Sequence, residues 1–448
     1  MKHYVSLIGL LFLSAAMYAQ ETEFESASEA VVNMRVGWNL GNTLDSNSGS
    51  STNMWIERYT KRTPSDYETA WGQPVTKPEL FKMMKDAGFN AIRIPVTWYP
   101  HLELKIPSNT LTWNMDAYPL GYKVDAAWMK RVHEVVDYVI DQGMYCILNV
   151  HHDTGTSDVA WMKADNDNYE ENKERYDSLW KQIATEFRDY DEHLLFESYN
   201  EIIDYYNSWS YASSSCDGGY DRKVAESAYA AVNGYAETFV NAVRSTGGNN
   251  LNRNLVINTY AANSGQGRGT HSGEPLSNLK IPTDLNDDGK NHLIVEIHYY
   301  IYLKNLGTAK HTASEVLSGL REDLTWNKGL PVIVGEWGTL DSDHEDVQGD
   351  SLYDEFVDYC KYFVSEAKKK KIATFYWMGL SNGNSRSVPE WSQPAIKDAI
   401  IRGYYGKNGY TGVEPVVDNY DSVDKPSYAD YWLPGGILIR NGRKYLVR

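Results

Sequence analysis

The chain has 448 residues, with 43 Lys and Arg against 60 Asp and Glu, and its formal net charge is −17. Such an acidic chain repels phosphate backbones, so we expect no nucleic-acid partner. Hydrophobic residues make up 42% of the sequence, which excludes intrinsic disorder as the default state. The length accommodates one large barrel or two ordinary domains.

Residues 1–19 have the form of a secretory signal peptide. Lys2 precedes an apolar run over residues 4–13, and small residues lead to a cleavage position after Ala19. No later apolar segment is long enough to span a bilayer, so we expect no membrane partner. The chain is therefore predicted to be secreted or periplasmic.

Strand and helix patterns alternate along residues 20–410. Short apolar runs that read as strands begin near residues 36, 89, 144, 194, 254, 292, 331 and 372. Helices between them are predicted at residues 78–88, 126–142, 168–190, 224–244, 312–326, 353–369 and 394–402. Residues 46–70 and 263–291 are predicted to be long loops.

This alternation predicts the α/β class and a single (β/α)₈ barrel, or TIM barrel, with long βα loops. A doubly wound open sheet is the alternative, but no glycine-rich phosphate loop follows the first strand. Residues 411–448 do not continue the pattern, and Asn441-Gly442 between two strand-like runs indicates a hairpin. We therefore predict a barrel domain over residues 20–410 and a short C-terminal appendage.

Two of the predicted strands end in a glutamate. The run 194–196 leads to Asn200-Glu201, and the run that starts at residue 330 stops at Glu336. Parallel strands of a barrel open at one mouth, so both carboxyl groups would face one cleft. A lone strand-end glutamate is more often a solvated loop acid or a helix cap, but here the pattern recurs. Other strand ends carry Arg93, His151, His152, His298, Tyr299, Tyr300 and Trp377.

A facing pair of carboxyl groups suits glycoside hydrolysis, in which one is the nucleophile and the other acts as acid and then base. Arg93 is a cation that would keep Glu336 ionised, and Asn200 offers an amide donor to the sugar. The plainer alternatives are a barrel-interior ion pair for Arg93 and ordinary hydrogen-bonded histidines at His151 and His298.

Metal sites have little support in the sequence. Residues 284–289 resemble the first half of an EF-hand calcium loop, but Val295 stands at the twelfth position and no helices flank the segment. No Cys or His spacing indicates zinc, and the three cysteines show no disulfide framework. We expect no metal and no cofactor.

The strand-end motifs together resemble glycoside hydrolase family 5, the family of cellulases and related β-glycanases. The resemblance covers residues 37 to about 406 and implies a (β/α)₈ catalytic domain that hydrolyses with retention. By motif, Glu201 matches the acid/base, Glu336 the nucleophile and Asn200 the donor to the sugar 2-hydroxyl. The motifs that carry the resemblance are residues 37–45, Arg93-Ile94-Pro95, residues 149–152, Asn200-Glu201, residues 298–300, residues 335–338 and Trp377.

Further roles follow from the same resemblance. Arg93 and Tyr300 match the residues that hold the nucleophile, and His151 and His298 match the polar ring around the −1 sugar. Trp377 matches the platform beneath that sugar. We also count three residues within these motifs, Asn42, His152 and Trp337, as substrate-binding. Trp71, Trp98, Trp161 and Trp209 are candidates for stacking on further sugars.

The substrate is less defined than the chemistry. Residues 37–45 and 260–263 look like the glucanase side of the family, which favours an endo-β-1,4-glucanase acting on cellulose, mixed-linkage glucan or xyloglucan. Residues 301–303 and 378–383 depart from the family's cleft loops, so a β-mannanase or other hemicellulase stays open. From another class, a non-catalytic carbohydrate-binding protein would have lost one of the two glutamates. We expect a monomer whose partner is a β-glycan.

Overall fold

The computed structural model describes residues 24–107, 111–204, 220–266, 270–339 and 352–412, with three short strands beyond residue 430. Eight parallel strands form a closed barrel in chain order, β1 to β8. They are β1 Val36–Asn39, β2 Ala91–Ile94, β3 Tyr145–Asn149, β4 Leu194–Glu197, β5 Leu255–Asn258, β6 Leu293–Ile301, β7 Val332–Thr339 and β8 Ala373–Tyr376. The barrel prediction is confirmed, and the open-sheet alternative is wrong because β8 pairs with β1.

Helices separate the strands along the chain. They are α1 Ala27–Asn33, α2 Trp55–Tyr59, α3 Pro64–Glu68, α4 Pro78–Ala87, α5 Ala126–Ile140, α6 Asn166–Glu186, α7 Arg222–Ser245, α8 Glu274–Ser277, α9 Leu306–Leu320, α10 Tyr353–Lys369, α11 Asn384–Ser387 and α12 Pro394–Tyr405. Short 3₁₀ turns lie at Tyr99–His101, Gly248–Leu251 and Tyr260–Ala262, and α9 continues into a π-helical segment, Arg321–Trp326. In the described part of the chain, no helix has both the length and the apolar character that a membrane crossing needs.

Several helix ends follow local sequence signals. The Asp125 carboxylate accepts hydrogen bonds from the backbone N–H groups of Ala127 and Trp128, at 2.9 and 3.0 Å, and so starts α5. Gly88 ends α4 with φ +108°, a conformation that glycine adopts without strain. Helix α9 begins six residues before the predicted start, because the Asn305 side chain accepts a hydrogen bond from the Thr308 N–H.

Three loop and strand predictions are wrong in part. Residues 46–70 are not one irregular loop, since they contain α2 and α3, and residues 263–291 contain the short helix α8. Strand β6 does not end at His298, a predicted strand-end residue, but runs on to Ile301, where it pairs with Thr339 of β7. The extension carries His298 and Tyr300 as strand residues beside Glu336, after a register shift between Ile297 and His298.

The barrel interior has an apolar lower layer and a polar upper layer. Helix α1 closes the lower end, where Val31 and Met34 pack against interior apolar side chains of the strands. Every second strand residue faces inward, so the inward residues of the polar layer come two positions after those of the apolar layer and lie nearer the C-terminal mouth. Those positions, all with side chains shielded from solvent, are Asn39, Arg93, Asn149, Glu197, Asn258 and Glu296.

The C-terminal appendage contains a small antiparallel sheet, β9 Tyr431–Leu433, β10 Ile437–Arg440 and β11 Arg443–Leu446. Arg440 and Arg443 are partners in the β10–β11 register, as a hairpin between these strands requires. Strand β9 was not predicted. The Asn441-Gly442 turn and the signal-peptide segment 1–19 lie outside the described residues.

Candidate active site

Arg93 is the centre of the polar layer. Its side chain is fully buried on β2, where Nε and Nη2 donate to the two carboxylate oxygens of Glu197, at 2.6 and 2.8 Å. Nη1 donates to Glu336 Oε1 at 2.7 Å, and Nη2 also donates to Asn200 Oδ1 at 3.0 Å. Burial by itself would lower the pKa of Arg93, but the carboxylates of Glu197, Glu296 and Glu336 raise it well above its usual range. A permanent cation therefore lies directly behind Glu336.

Glu336 lies at the mouth end of β7, and only 5% of its surface is exposed. Tyr300 donates its phenol O–H to Glu336 Oε2 at 2.8 Å, while Arg93 binds Oε1. Burial in the cleft wall, together with the charges of Glu336 and Glu201, raises the pKa of Tyr300 well above its ordinary value. The phenol therefore stays a donor, and both oxygens of Glu336 are hydrogen-bonded in one orientation.

Glu201 faces Glu336 across the cleft. One carboxylate oxygen of each residue and a ring nitrogen of His298 lie within 4.8 Å of one another. Glu201 Oε1 is 2.7 Å from His298 Nδ1, and the Glu201 side chain is 20% exposed. Burial would lower the pKa of His298, but Glu336, Glu201 and Glu296 together raise it to about 10. His298 is thus an imidazolium whose Nδ1–H donates to Glu201.

Asn200 precedes Glu201 and is almost fully buried. Its backbone N–H donates to the Val150 carbonyl at 2.8 Å, which fixes the chain next to β3. Its Oδ1 accepts from Arg93, so the donor half of the amide is turned away from the guanidinium. The Asn200 amide N–H group is therefore not used by Arg93, and Arg93 holds both Asn200 and Glu336.

His151, His152 and Trp377 form the wall beside Glu336. The His151 ring lies parallel to Trp377, with centroids 5.9 Å apart and 7° between the planes, and Trp377 is half-buried. Asn149 Nδ2 donates to His151 Nδ1 at 3.0 Å. Burial is the main cause that lowers the pKa of His151 well below its usual value and that of His152 to about 4. Both rings are therefore neutral at ordinary pH.

The structure corrects the prediction for Trp337. Only 1% of this residue is exposed, and its ring packs on Phe363 of α10 and on Tyr376, with centroids 4.6 and 5.1 Å away. Neighbouring strand residues point to opposite sides, so Trp337 faces the helices because Glu336 faces the cleft. Asn42 is half-buried at the mouth with φ +58°, and its backbone N–H donates to Asp45 Oδ2 at 3.1 Å.

The other candidate tryptophans divide in the same way. Trp98 and Trp161 are buried, and their indole N–H groups donate to the Asn149 carbonyl and to Asp153 Oδ1. The prediction that they stack on sugars is therefore wrong. Trp71 is half-buried, with its ring 5.4 Å from that of His152, and so lies at the cleft wall. Trp209 lies outside the described residues.

Sequence reasoning missed two charged residues below the glutamates, Glu197 and Glu296. Both are 0% exposed and lie close to Arg93. Their signal was present, since each is a single acid within an otherwise apolar strand run. A charge in such a position requires a buried partner, and that requirement could have identified both residues.

Among the residues that the structure describes, two groups have the composition of a metal site, Glu201–His298–Glu336 and Asp45–His151–His152. In the first, the nearest His298 nitrogen is a donor to Glu201. In the second, the Asp45 carboxylate accepts backbone N–H groups from residues 42 and 43. These donor sets are therefore engaged in hydrogen bonds within the protein. Two acids of the EF-hand-like segment are engaged as well, Asp284 with Arg244 and Asp288 with His292.

We expect Trp377 and Trp337 to respond differently to substitution. Trp377→Ala should lower kcat/KM on polysaccharide by roughly 10- to 100-fold, because a stacking surface for the sugar is lost. Trp337→Phe should leave kcat/KM within about threefold of the parent and lower Tm, because it disturbs packing against Phe363. Steady-state kinetics and thermal unfolding of both variants check this contrast. A large KM change in Trp337→Phe with an unchanged Tm would contradict it.

A parallel barrel with two facing carboxyl groups at its C-terminal mouth, one of them bound by a buried arginine, defines a glycoside hydrolase. A family model for cellulase, glycosyl hydrolase family 5, matches residues 53–383. The chain therefore belongs to glycosyl hydrolase family 5 and is a hydrolase of the endoglucanase type.

Relatives agree with this membership. Cellulase/esterase CelE of Acetivibrio thermocellus is 32% identical over 411 residues, a match that covers 88% of this chain and 41% of CelE. Endoglucanase B of Neocallimastix patriciarum is 32% identical over 398 residues, covering 84% of this chain and 72% of that protein. The chain thus spans less than half of CelE and about three quarters of Endoglucanase B.

Solved structures show the same similarity. A GH5-4 broad specificity endoglucanase from an uncultured bacterium is 48% identical, with a TM-score of 0.75, and the match covers 86% of this chain and 97% of that one. PbGH5A of Prevotella bryantii B14, solved with a xyloglucan tetradecasaccharide, is 38% identical with a TM-score of 0.69. That match covers 85% of this chain and 99% of the other.

Proposed function

We propose that the protein is a secreted, retaining endo-β-1,4-glucanase that hydrolyses β-glucan polysaccharides by double displacement. The observation that carries the mechanism is the spacing of the two carboxyl groups. One carboxylate oxygen of Glu201 and one of Glu336 lie within 4.8 Å of each other. Retaining enzymes hold their carboxyl groups about 5–5.5 Å apart, whereas inverting enzymes need about 6.5–9.5 Å to admit a water.

In the first step, a Glu336 oxygen bonds to the anomeric carbon while the glycosidic C–O bond breaks. The leaving oxygen takes the proton of Glu201, so the products are a free chain end, a glycosyl ester on Glu336 and an ionised Glu201. In the second step, water gives a proton to Glu201, and the water oxygen bonds to the anomeric carbon. The ester bond breaks, and both glutamates return to their starting states.

Arg93 and Tyr300 support Glu336 as the nucleophile. Their two hydrogen bonds stabilise the negative charge of Glu336 before attack and orient its carboxylate toward the sugar. When Glu336 becomes a neutral ester, its attraction to Arg93 weakens. The amide of Asn200 would bond the sugar 2-hydroxyl, an interaction that strengthens as positive charge develops on the ring.

The choice of a β-1,4-glucan substrate is supported by the relatives. One similar structure is named a broad specificity endoglucanase, and another holds a xyloglucan tetradecasaccharide. We infer that this cleft also binds a β-1,4-glucan backbone, with Trp377 beneath the reacting sugar. A β-mannanase would use the same catalytic residues, so only an assay on the two substrates distinguishes it from a β-glucanase. Export through the 1–19 signal peptide, action as a monomer and the absence of a metal or cofactor belong to the same proposal.

The test is a product assay on the purified protein. Carboxymethylcellulose, mixed-linkage β-glucan, xyloglucan and β-mannan are offered in parallel, and products are followed by chromatography and by the anomeric signals in ¹H NMR. We expect oligosaccharides from the glucans whose new ends first appear in the β configuration. First-formed α ends would overturn the retaining mechanism, a preference for mannan would overturn the substrate, and no hydrolysis would favour a binding protein.

A further inference from the structure

Glu296 is a buried carboxyl group that the double displacement does not use. It lies on β6 below the cleft, and none of its surface is exposed. Its Oε1 is 3.0 Å from His298 Nε2 and 3.3 Å from Arg93 Nε. Gly335 on the neighbouring strand makes room for it, because a Cβ at that position would overlap the Glu296 carboxyl group.

The charged groups around Glu296 come from three strands. Arg93 lies on β2, Glu197 on β4 and His298 on β6 itself. Burial is the main cause that raises the pKa of Glu296 to about 7, and the charge of Glu197 adds to it, while Arg93 opposes it. Glu296 can therefore gain or lose its charge within the pH range in which an enzyme works.

The His298 ring connects Glu296 to Glu201. Nε2 faces Glu296 and Nδ1 faces Glu201, at 3.0 and 2.7 Å, so the two carboxyl groups hold the ring at its two ends. An Nδ1–H that donates to Glu201 Oε1 leaves Oε2 as the oxygen that carries the catalytic proton. A neutral His298 with its proton on Nε2 would instead present a lone pair to Glu201 and accept a hydrogen bond from its carboxyl O–H, so that the catalytic proton would point at the ring and not at the leaving oxygen.

Resting on the function proposed above, we propose that Glu296 is a positioning residue that keeps His298 doubly protonated, with Nδ1–H aimed at Glu201, and thereby sets the upper pH limit of catalysis. An ionised Glu296 attracts the second proton of the imidazolium as the pH rises. A neutral side chain at this position would accept from Nε2–H without holding that charge. The ring would then turn neutral at a lower pH.

Glu296→Gln tests the proposal. Because glutamine resembles the protonated acid, kcat/KM on a soluble β-glucan should stay within about threefold of the parent at pH 5. The alkaline limb of the pH profile should move down by about one unit or more, so that kcat/KM falls by at least about tenfold relative to the parent at pH values above the parent's limb. Glu296→Asp, which restores the charge, should recover part of the shift. An unmoved alkaline limb in Glu296→Gln would overturn the proposal.

Glu68→Gln is the matched control. Glu68 is also 0% exposed and carries a buried ion pair, with Arg131, but it lies outside the barrel interior on α3. Its substitution should lower Tm without moving the pH profile. If both variants move the limb equally, the effect of Glu296 is structural and the proposal fails.

A second readout does not depend on activity. The ¹⁵N signals of the His298 ring are assigned by comparison with His298→Gln. They should show that both ring nitrogens stay protonated to a higher pH in the parent than in Glu296→Gln. An equal titration in both proteins would refute the role of Glu296 even if the parent hydrolyses glucan. A shifted titration in a parent that hydrolyses none of the glycans would leave this role standing while the proposed function fails.

Discussion

Replacing Glu336 with alanine is expected to reduce kcat/KM on β-glucans by a factor on the order of 10⁴ to 10⁶, because the group that forms the covalent intermediate is lost. The fold should persist. Arg93 keeps both of its hydrogen bonds to Glu197 and its bond to Asn200 when Glu336 is removed. Circular dichroism and thermal unfolding would show a folded protein, and reducing-sugar release would measure the activity.

Rescue of the variant by azide distinguishes a nucleophilic role of Glu336 from a merely structural one. In Glu336→Ala, the anion can enter the space left by the carboxylate and attack the anomeric carbon from that side, with Glu201 still present as the acid. The product from an aryl β-cellobioside should then be the α-glycosyl azide. Glu171→Ala, an exposed substitution on α6, is the control and should behave like the parent. Activity above about 1% of the parent in freshly purified Glu336→Ala would sink the assignment.

Replacing Glu201 with alanine should have an effect that depends on the leaving group. On polysaccharide, kcat/KM should fall by about 10² to 10⁴, since the sugar alkoxide cannot leave without a proton. With 2,4-dinitrophenyl β-cellobioside the phenolate leaves unprotonated, so formation of the ester on Glu336 should be nearly normal. Removal of the ester should be slow, because no base activates water. Stopped-flow kinetics would show a burst of phenolate followed by a slow steady state.

The azide product of Glu201→Ala should be the opposite of that from Glu336→Ala. Here azide needs no base and attacks the glycosyl ester, so two inversions give the β-glycosyl azide. The two variants are therefore controls for each other, and exchanged products would exchange the two roles. Equal losses on polysaccharide and on the activated aryl glycoside would count against Glu201 as the acid.

The polar layer under the two glutamates lowers the stability of the fold through desolvation of its charges, and it positions the catalytic groups. Arg93, Glu197 and Glu296 are all withdrawn from water, and such desolvation of charges is repaid only when their geometry is good. The close hydrogen bonds around Arg93 meet that condition. The layer holds Glu336 and His298 in place through bonds that come from strands far apart in the sequence.

Much of this protein is determined by its sequence alone. The barrel follows from eight apolar runs that alternate with helical segments, and helix ends follow from local signals such as Asp125 and Gly88. Glu201 and Glu336 could be selected because each stands where an apolar run of the sequence gives way to polar residues, and parallel strands of a barrel share one mouth. These inferences depend on spacing and local chemistry, which a sequence shows directly.

Only the tertiary structure decided which way Trp337 faces, how far β6 extends and what surrounds Glu296. Trp337 packs on Phe363 rather than on the cleft because strand residues alternate in direction, and β6 is lengthened by its pairing with β7. The charge of His298 depends on Glu201, Glu296 and Glu336, which come from three strands or strand ends. Orientation and protonation are set by neighbours in space, so residues distant in the chain decide them.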